Sequence, residues 1–230
     1  MIKGIIFDLD ETLYDFSAPD SIAVDAVGNH LLERGLVKSK DVFRIAYKEV
    51  VSQLFSESDQ PYIYDRVVRM QRTLDFLGII NNALSEELAN LYWKVFYSSI
   101  RIWPDLHPTF EWLDSRFRIG VLTDGLRKWQ WEKIKILHLT NYIDVFVTAE
   151  DLGFSKPRKE CFLETANRLH LPPNEVVMVG DLYDKDVLGA LSAGMHAVFF
   201  KRRDNEDNYG RSEIPIIKRL HELRHLMILR

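Results

Sequence analysis

The feature that most constrains this chain stands at its start. Ile2 to Phe7 is a short, mainly apolar run that ends in Asp8 and gives way to a polar turn, Asp10-Glu11-Thr12. A run of that length and character reads as a strand buried on both faces, the kind found in parallel sheets. No second strand pattern appears until Phe117, more than a hundred residues on, too far for a simple crossover between neighbouring strands. The sheet must therefore be interrupted by something that folds separately.

The interruption is helical in pattern. From about Ser17 to Ile102, Gly is sparse and apolar residues recur at helical spacing. Ile22, Ala23, Ala26, Val27, His30 and Leu31 form one stripe, ended by Gly35. Val42, Ile45, Ala46 and Val50 form a second, and Tyr64, Val67, Val68, Arg69, Leu74 and Leu77 a third, ended by Gly78. Leu84, Leu88, Leu91, Tyr92 and Val95 form a fourth, with Ser85 as its expected cap. Consecutive helices without strands between them predict a bundle. After Trp103-Pro104 the pattern alternates. Strands are expected at Phe117–Thr123, Val145–Thr148, Val176–Val179 and His196–Phe200. Helices are expected around Pro108–Ser115, Lys128–Leu137, Lys159–His170 and Asp184–Ala193. Arg202 to Arg211 reads as a polar loop and Pro215 to Leu226 as a short amphipathic helix. Alternation of this kind means a doubly wound parallel sheet. The expected fold is α/β, a Rossmann-like parallel sheet core at 1–15 and 104–230 with a helical-bundle cap inserted at 16–103.

Composition narrows the partners. Lys plus Arg is 30 against 34 Asp plus Glu in 230 residues, a net charge of −4. That balance argues against a general nucleic-acid binder, which carries a basic surplus. Cys161 is the one cysteine, so neither an internal disulfide nor a cysteine-based zinc site is expected. Burial as a small core hydrophobe is its expected role. No apolar run approaches the length of a membrane span, and the first run is too short for a signal peptide. A cytoplasmic monomer or homodimer is the expectation.

Ligands of open parallel sheets bind beyond the carboxyl ends of the strands. The residues there are Asp8 and Asp10 after the first strand and Thr123-Asp124-Gly125 after the second. Ser155-Lys156-Pro157 follows the third, and Gly180-Asp181, with Asp184 and Asp186, the fourth. Carboxylates gathered this way repel one another and titrate upward unless a cation joins them. Oxygen ligands and a small octahedral ion point to Mg²⁺. If the chain turns after Asp8, one carboxylate of the Asp8/Asp10 pair can attack a phosphoryl group while the other handles a proton. Thr123 offers a hydroxyl, the amides of Asp124 and Gly125 an anion cradle, and Lys156 a point charge.

These residues resemble the motifs of the haloacid dehalogenase (HAD) superfamily of hydrolases. Asp-x-Asp-x-Thr is here Asp8-Leu9-Asp10-Glu11-Thr12, the second motif is Thr123-Asp124-Gly125, the third Lys156-Pro157 and the fourth Gly180-Asp181 through Asp186. The helical insertion resembles the cap these enzymes carry after the first motif. The run Asp124 through Ile134 looks most like small-metabolite phosphatases. The resemblance implies Asp8 as nucleophile of a phosphoaspartyl intermediate and Asp10 as general acid, then base. Thr123, the Asp124 amide and Lys156 would bind phosphate. Mg²⁺ would be held by Asp8, the Asp10 carbonyl and Asp181, with Asp186 orienting a neighbour behind them.

Blander readings compete at single positions. Asp184 and Asp186 could be acids favoured by a helix N-terminus, and Glu11 a turn residue. Trp129 and Trp131 could reach a substrate entrance or serve packing or a lobe interface, and the aromatic, polar segment Gln60–Arg66 could touch a substrate or be an interhelical turn. The expected function is a Mg²⁺-dependent phosphatase for a small phosphorylated metabolite. The alternatives are a haloacid dehalogenase, which typically lacks the second aspartate of the first motif, and a phosphoryl-accepting or binding protein on a similar fold.

Overall fold

The structure, a computed structural model, describes residues 1–81, 83–202 and 214–228. The polar segment at 202–211 therefore lies almost wholly outside the described residues. By its internal contacts the chain divides into two compact units, Met1–Tyr14 with Ile102–Arg230, and Asp15–Arg101.

Elements are numbered in chain order. Strand β1 (Gly4–Phe7) precedes helices α1 (Ser17–Glu33), α2 (Lys40–Glu57), α3 (Arg66–Phe76) and α4 (Leu84–Ser99). The chain then runs through α5 (Leu106–Asp114), β2 (Arg118–Thr123), α6 (Arg127–Ile136), β3 (Val145–Thr148), α7 (Ala149–Leu152) and α8 (Lys159–Arg168). β4 (Val176–Gly180), α9 (Leu188–Ser192), β5 (His196–Phe200), β6 (Ile216–Ile217) and α10 (Leu223–Ile228) complete it.

The six strands form one parallel sheet in the order β3-β2-β1-β4-β5-β6. β1 is central, with Phe7 opposite Val121 of β2 on one side and Val179 of β4 on the other. Because side chains alternate along a strand, Ile6 and Phe7 face opposite layers. Ile6 joins the buried cluster containing Cys161, Phe162 and Ala166 of α8 and Leu169 just after it. Phe7 meets Phe110 of α5, with ring centroids 5.1 Å apart. Helices thus cover both faces, as expected of a doubly wound sheet. Cys161 is buried among apolar neighbours as expected, and burial pushes its thiol up to about 12. Strand order reverses at β1: the chain moves outward through β2 and β3, then returns to β4 on its other side. Such a reversal opens a crevice between the two strands' carboxyl ends.

The C-terminal reading needs correction. Pro215–Leu226 is not one helix. Ile216 and Ile217 pair with Phe199 and Phe200 as an edge strand, and helix begins only after a short turn at Leu220–Glu222. Two adjacent β-branched residues beside an open sheet edge gain more from the ladder than from a helical stripe. His170, expected to end the helix that follows β3, stands just past α8 with a φ of 58°, not within the helix.

In the second unit, α1 packs on α2 and α4, and α3 on α2 and α4. Ser39 caps α2 and Asp65 caps α3, each accepting from a backbone amide two or three residues on. Two details differ from the sequence reading. Ser85 does not cap α4; it lies inside the helix and is buried. The inward face of α2 is Phe43, Ala46, Tyr47, Val50 and Leu54, while Ile45 is 70% exposed. Both stripes satisfy the helical period, and the larger area of Phe43 and Tyr47 decides which turns inward. Arg66 and Arg69 are also buried here. Arg66 donates to Tyr92 Oη at 2.8 Å and lies over the Tyr92 and Trp93 rings, and Tyr92 in turn donates to Asp20. Arg69 donates to the Ile63 carbonyl at 2.6 Å. Gln60–Arg66 is an interhelical turn, with a 3₁₀ turn at Pro61–Tyr64.

Candidate active site

The site gathers at the carboxyl ends of the strands of the sheet unit, with helix α6 and the loops that follow the strands contributing side chains. Asp8 continues the β1 ladder by donating its amide to the Val179 carbonyl at 2.9 Å. The chain then turns, with Glu11 at φ 61°, a left-handed conformation that non-glycine residues rarely hold. Glu11 is therefore the turn residue expected of it. The turn sends the two aspartates to different surroundings.

Asp8 is buried and accepts from Lys156 Nζ at 2.5 Å. The same ammonium donates to Asp186 Oδ1 at 2.7 Å. Asp186 is fully buried, and its second oxygen accepts from the Leu182 amide at 2.9 Å. Asp186 is therefore not a mere helix-end acid. The expected helix at Asp184–Ala193 is also shorter: a single wide turn of π type spans Tyr183–Val187 before α9 starts. Such turns recur where a functional side chain is re-aimed, and this one draws Asp186 inward while Asp184 stays exposed. Asp181, after β4, accepts from Thr12 Oγ1 at 3.3 Å, and the same hydroxyl reaches Asp8 at 3.5 Å.

Carboxylate oxygens of Asp8, Asp181 and Asp186 lie within 4.8 Å of one another. Burial pushes the Asp8 carboxyl well above its ordinary value; Lys156 opposes the rise, and Asp186 and Asp181 add to it. Burial, then Asp186, pushes Asp181 up to about 7. Burial alone would push Lys156 down, but Asp186, Asp8 and Asp124 hold it well above the usual lysine value. Three carboxylates against one ammonium leave negative charge unbalanced. A hard divalent cation with oxygen ligands fits that donor set.

Asp10 turns away from this cluster. Both its oxygens accept from Lys133 Nζ at 2.8 Å, Oδ1 accepts from Tyr14 Oη at 2.5 Å, and Oδ2 from Gln130 at 3.3 Å. Thr123, at the end of β2, is buried, and its hydroxyl accepts from Gln130 at 2.6 Å. Asp124 acts as a strut: its carboxylate accepts from the Lys156 amide at 3.0 Å and from Lys185 Nζ at 3.1 Å. Gly125 has φ 113°, which keeps the turn into α6 open to backbone that a side chain would strain.

The sequence reading missed Lys133, Gln130, Tyr14 and Lys185. A signal existed for two of them. Gln130, Lys133, Ile134 and Leu137 fall at i, i+3, i+4 and i+7, so two polar residues occupy the inward face of α6. Trp131 packs on Phe146 with centroids 5.1 Å apart.

Residues 2–194 match the family model of the haloacid dehalogenase-like hydrolases. The chain belongs to that family. It is 29% identical over 99% of its length, and over the whole of the relative, to a glyceraldehyde 3-phosphate phosphatase of Methanothermobacter thermautotrophicus. A HAD phosphatase from Thermococcus onnurineus superposes with a TM-score of 0.75, at 31% identity over 98% of both chains. A 2-haloacid dehalogenase from Pseudomonas syringae superposes with a TM-score of 0.76, at 27% identity over 100% of this chain and 99% of that one. Among the described residues of this hydrolase, no helix is long and apolar enough to cross a membrane.

Proposed function

We propose that this hydrolase is a Mg²⁺-dependent phosphatase that cleaves a small phosphorylated metabolite through a phosphoaspartyl intermediate. The observation that carries the reading is the divergence of two carboxylates from one turn. Asp8 joins Lys156 and the acidic cluster, while Asp10, two residues on, joins Lys133, Tyr14 and Gln130.

In this reading Asp8 attacks phosphorus and the bond to the leaving oxygen breaks. Asp10 supplies the proton that the departing alkoxide needs. Asp10 then takes a proton from water, whose oxygen attacks the acyl phosphate; inorganic phosphate leaves and the Asp8 carboxylate is restored. Lys156 balances charge on the phosphoryl oxygens and on Asp8. Thr123 Oγ1 and the Asp124 amide hold a phosphoryl oxygen. Mg²⁺ would be held by Asp8, the Asp10 carbonyl and Asp181, and would supply charge neutralisation at Asp8 and the phosphoryl group. Asp186 acts through Lys156, its oxygens being engaged by that ammonium and the Leu182 amide. We assign the helical unit the part of a specificity cap, on the strength of its insertion straight after the first motif.

The dehalogenase alternative has a structural relative in its favour. Asp10 and Asp181 weigh against it, since displacing halide needs neither a proton donor for an alkoxide nor a cation site. The relatives named for glyceraldehyde 3-phosphate make three-carbon phosphate esters the first substrates to try. The test is phosphate release from para-nitrophenyl phosphate and glyceraldehyde 3-phosphate, with and without Mg²⁺, on wild type and Asp8→Asn. Mg²⁺-dependent release lost in the variant is the expected result. Halide release from haloacids, with no phosphate release, would overturn the reading.

A further inference from the structure

Lys133 is hard to explain by packing. Its side chain is 2% exposed and sits at an inward position of α6 between apolar neighbours Ile134 and Leu137. A helix that needed only an apolar face there would carry Leu or Met, because a buried ammonium loses its water and needs a partner to replace it. The partner is Asp10, whose side chain is 30% exposed and so retains water of its own. The pair therefore desolvates the lysine for the sake of a carboxylate that solvent could have served.

The arrangement around Asp10 is also directional. Lys133 meets both oxygens at 2.8 Å, which fixes the plane of the carboxyl, and Tyr14 Oη adds a second short bond on Oδ1. Gln130 Nε2 has two protons for three acceptors. Thr123 Oγ1 at 2.6 Å and the Asp124 carbonyl at 2.8 Å take the short contacts, leaving Oδ2 the long one at 3.3 Å. Oδ2 is thus the oxygen least committed to the protein. The Gln130 side chain stands between the Asp10 carboxyl and the Thr123 hydroxyl, the expected phosphate ligand.

We propose that Lys133, with Gln130 and Tyr14, is the positioning cradle of Asp10, turning Oδ2 toward the leaving oxygen in register with the phosphoryl group held at Thr123. The proposal rests on the reading of Asp10 as the proton donor. Lys133 acts through its bonds to Asp10, so the role proposed for it is that of a positioning residue. A donor matters most when the leaving oxygen is a poor leaving group. Misplacing Asp10 therefore slows alkyl phosphates more than para-nitrophenyl phosphate, whose leaving group departs without help.

The experiment compares kcat/KM for glycerol phosphate and para-nitrophenyl phosphate in wild type, Lys133→Met, Lys133→Arg, Tyr14→Phe and Asp10→Asn, with a thermal melt of each. In Lys133→Met, kcat/KM for the alkyl ester is expected to fall by roughly 10²-fold more than for the aryl ester, within the range that proton transfer contributes. The melting temperature is expected to hold or rise, since Met suits a buried helical face. Lys133→Arg restores part of the ratio. Equal losses on both esters in Lys133→Met beside a large differential in Asp10→Asn would overturn the cradle and spare Asp10. A flat ratio in Asp10→Asn itself would overturn both. Should Lys133→Met fail to fold, Tyr14→Phe, which removes one hydroxyl, carries the decision by the same ratio.

Discussion

Gly180 closes β4, and its substitution by alanine tests the packing behind the candidate active site. β4 is an interior strand, paired with β1 on one side and with β5 on the other, where Gly180 stands opposite Phe199. Its backbone cannot retreat without tearing a ladder. A Cβ built on Gly180 would lie 2.5 Å from Asp186 Cβ and closer still to the Asp186 carboxyl carbon, whereas real Cβ atoms keep beyond 3.0 Å. Asp186 must therefore move by about 0.5 Å at its Cβ and by more at its carboxylate. It is fully buried, and its oxygens hold Lys156 at 2.7 Å and the Leu182 amide at 2.9 Å. Overpacking of this kind costs roughly 1–3 kcal/mol. Weakening one charge-assisted bond adds roughly 1.5–3 kcal/mol. Gly180→Ala is therefore expected to lose about 3 kcal/mol, read as a lower urea midpoint at unchanged slope. Because Lys156 also holds Asp8, phosphate release should fall about 10²-fold, the usual consequence of a misplacement approaching an ångström. A variant that unfolds within about 0.5 kcal/mol of wild type, the range of an ordinary surface change, and keeps its kcat would refute the reasoning.

Other expectations follow from the same contacts. Asp8→Asn should abolish turnover without lowering stability, because it removes a buried charge; retained turnover would remove Asp8 as nucleophile. The folded Asp181 carboxyl is pushed up to about 7, above the 3.8 of an unperturbed aspartate, so the folded state keeps a proton that the unfolded chain gives up. In metal-free protein its contribution to stability is full below about 4 and is lost as pH rises through 7. Mg²⁺ needs the ionised form, so adding it should raise the melting temperature more at pH 8 than at pH 5; equal shifts would count against Asp181 as a ligand. In the helical unit, Arg66→Ala removes a buried cation from Tyr92, Trp93 and Asp20 and should cost about 3 kcal/mol, read by urea unfolding; a neutral variant would mean the guanidinium is bound only loosely.

Much of this site is legible in one dimension because the fold places chemistry at strand ends. A buried parallel strand must be apolar until it leaves the sheet, so its first acid or hydroxyl marks the crevice: Asp8, Thr123 and Asp181 each stand where an apolar run stops. The inserted helices are legible for a related reason, since a run of residues at 3.6 spacing without strands cannot extend a sheet. Periodicity alone does not choose between rival stripes. On α2 it allowed Ile45 inward, and only packing showed that Phe43 and Tyr47 turn in and Ile45 turns out.

By itself, then, the sequence determined the alternation of strands and helices, the interruption after β1, and the order of acids and cations along the chain. Those follow from local rules of burial and spacing. Only the tertiary structure decided that Asp8 and Asp10 part company, that Asp186 lies buried on Lys156, and that Lys133 belongs to Asp10. Asp10 and Lys133 are separated by 123 positions. Nothing local joins them: the inserted helices return the chain to the sheet, β2 takes its place beside β1, and the helix after it turns an ammonium inward.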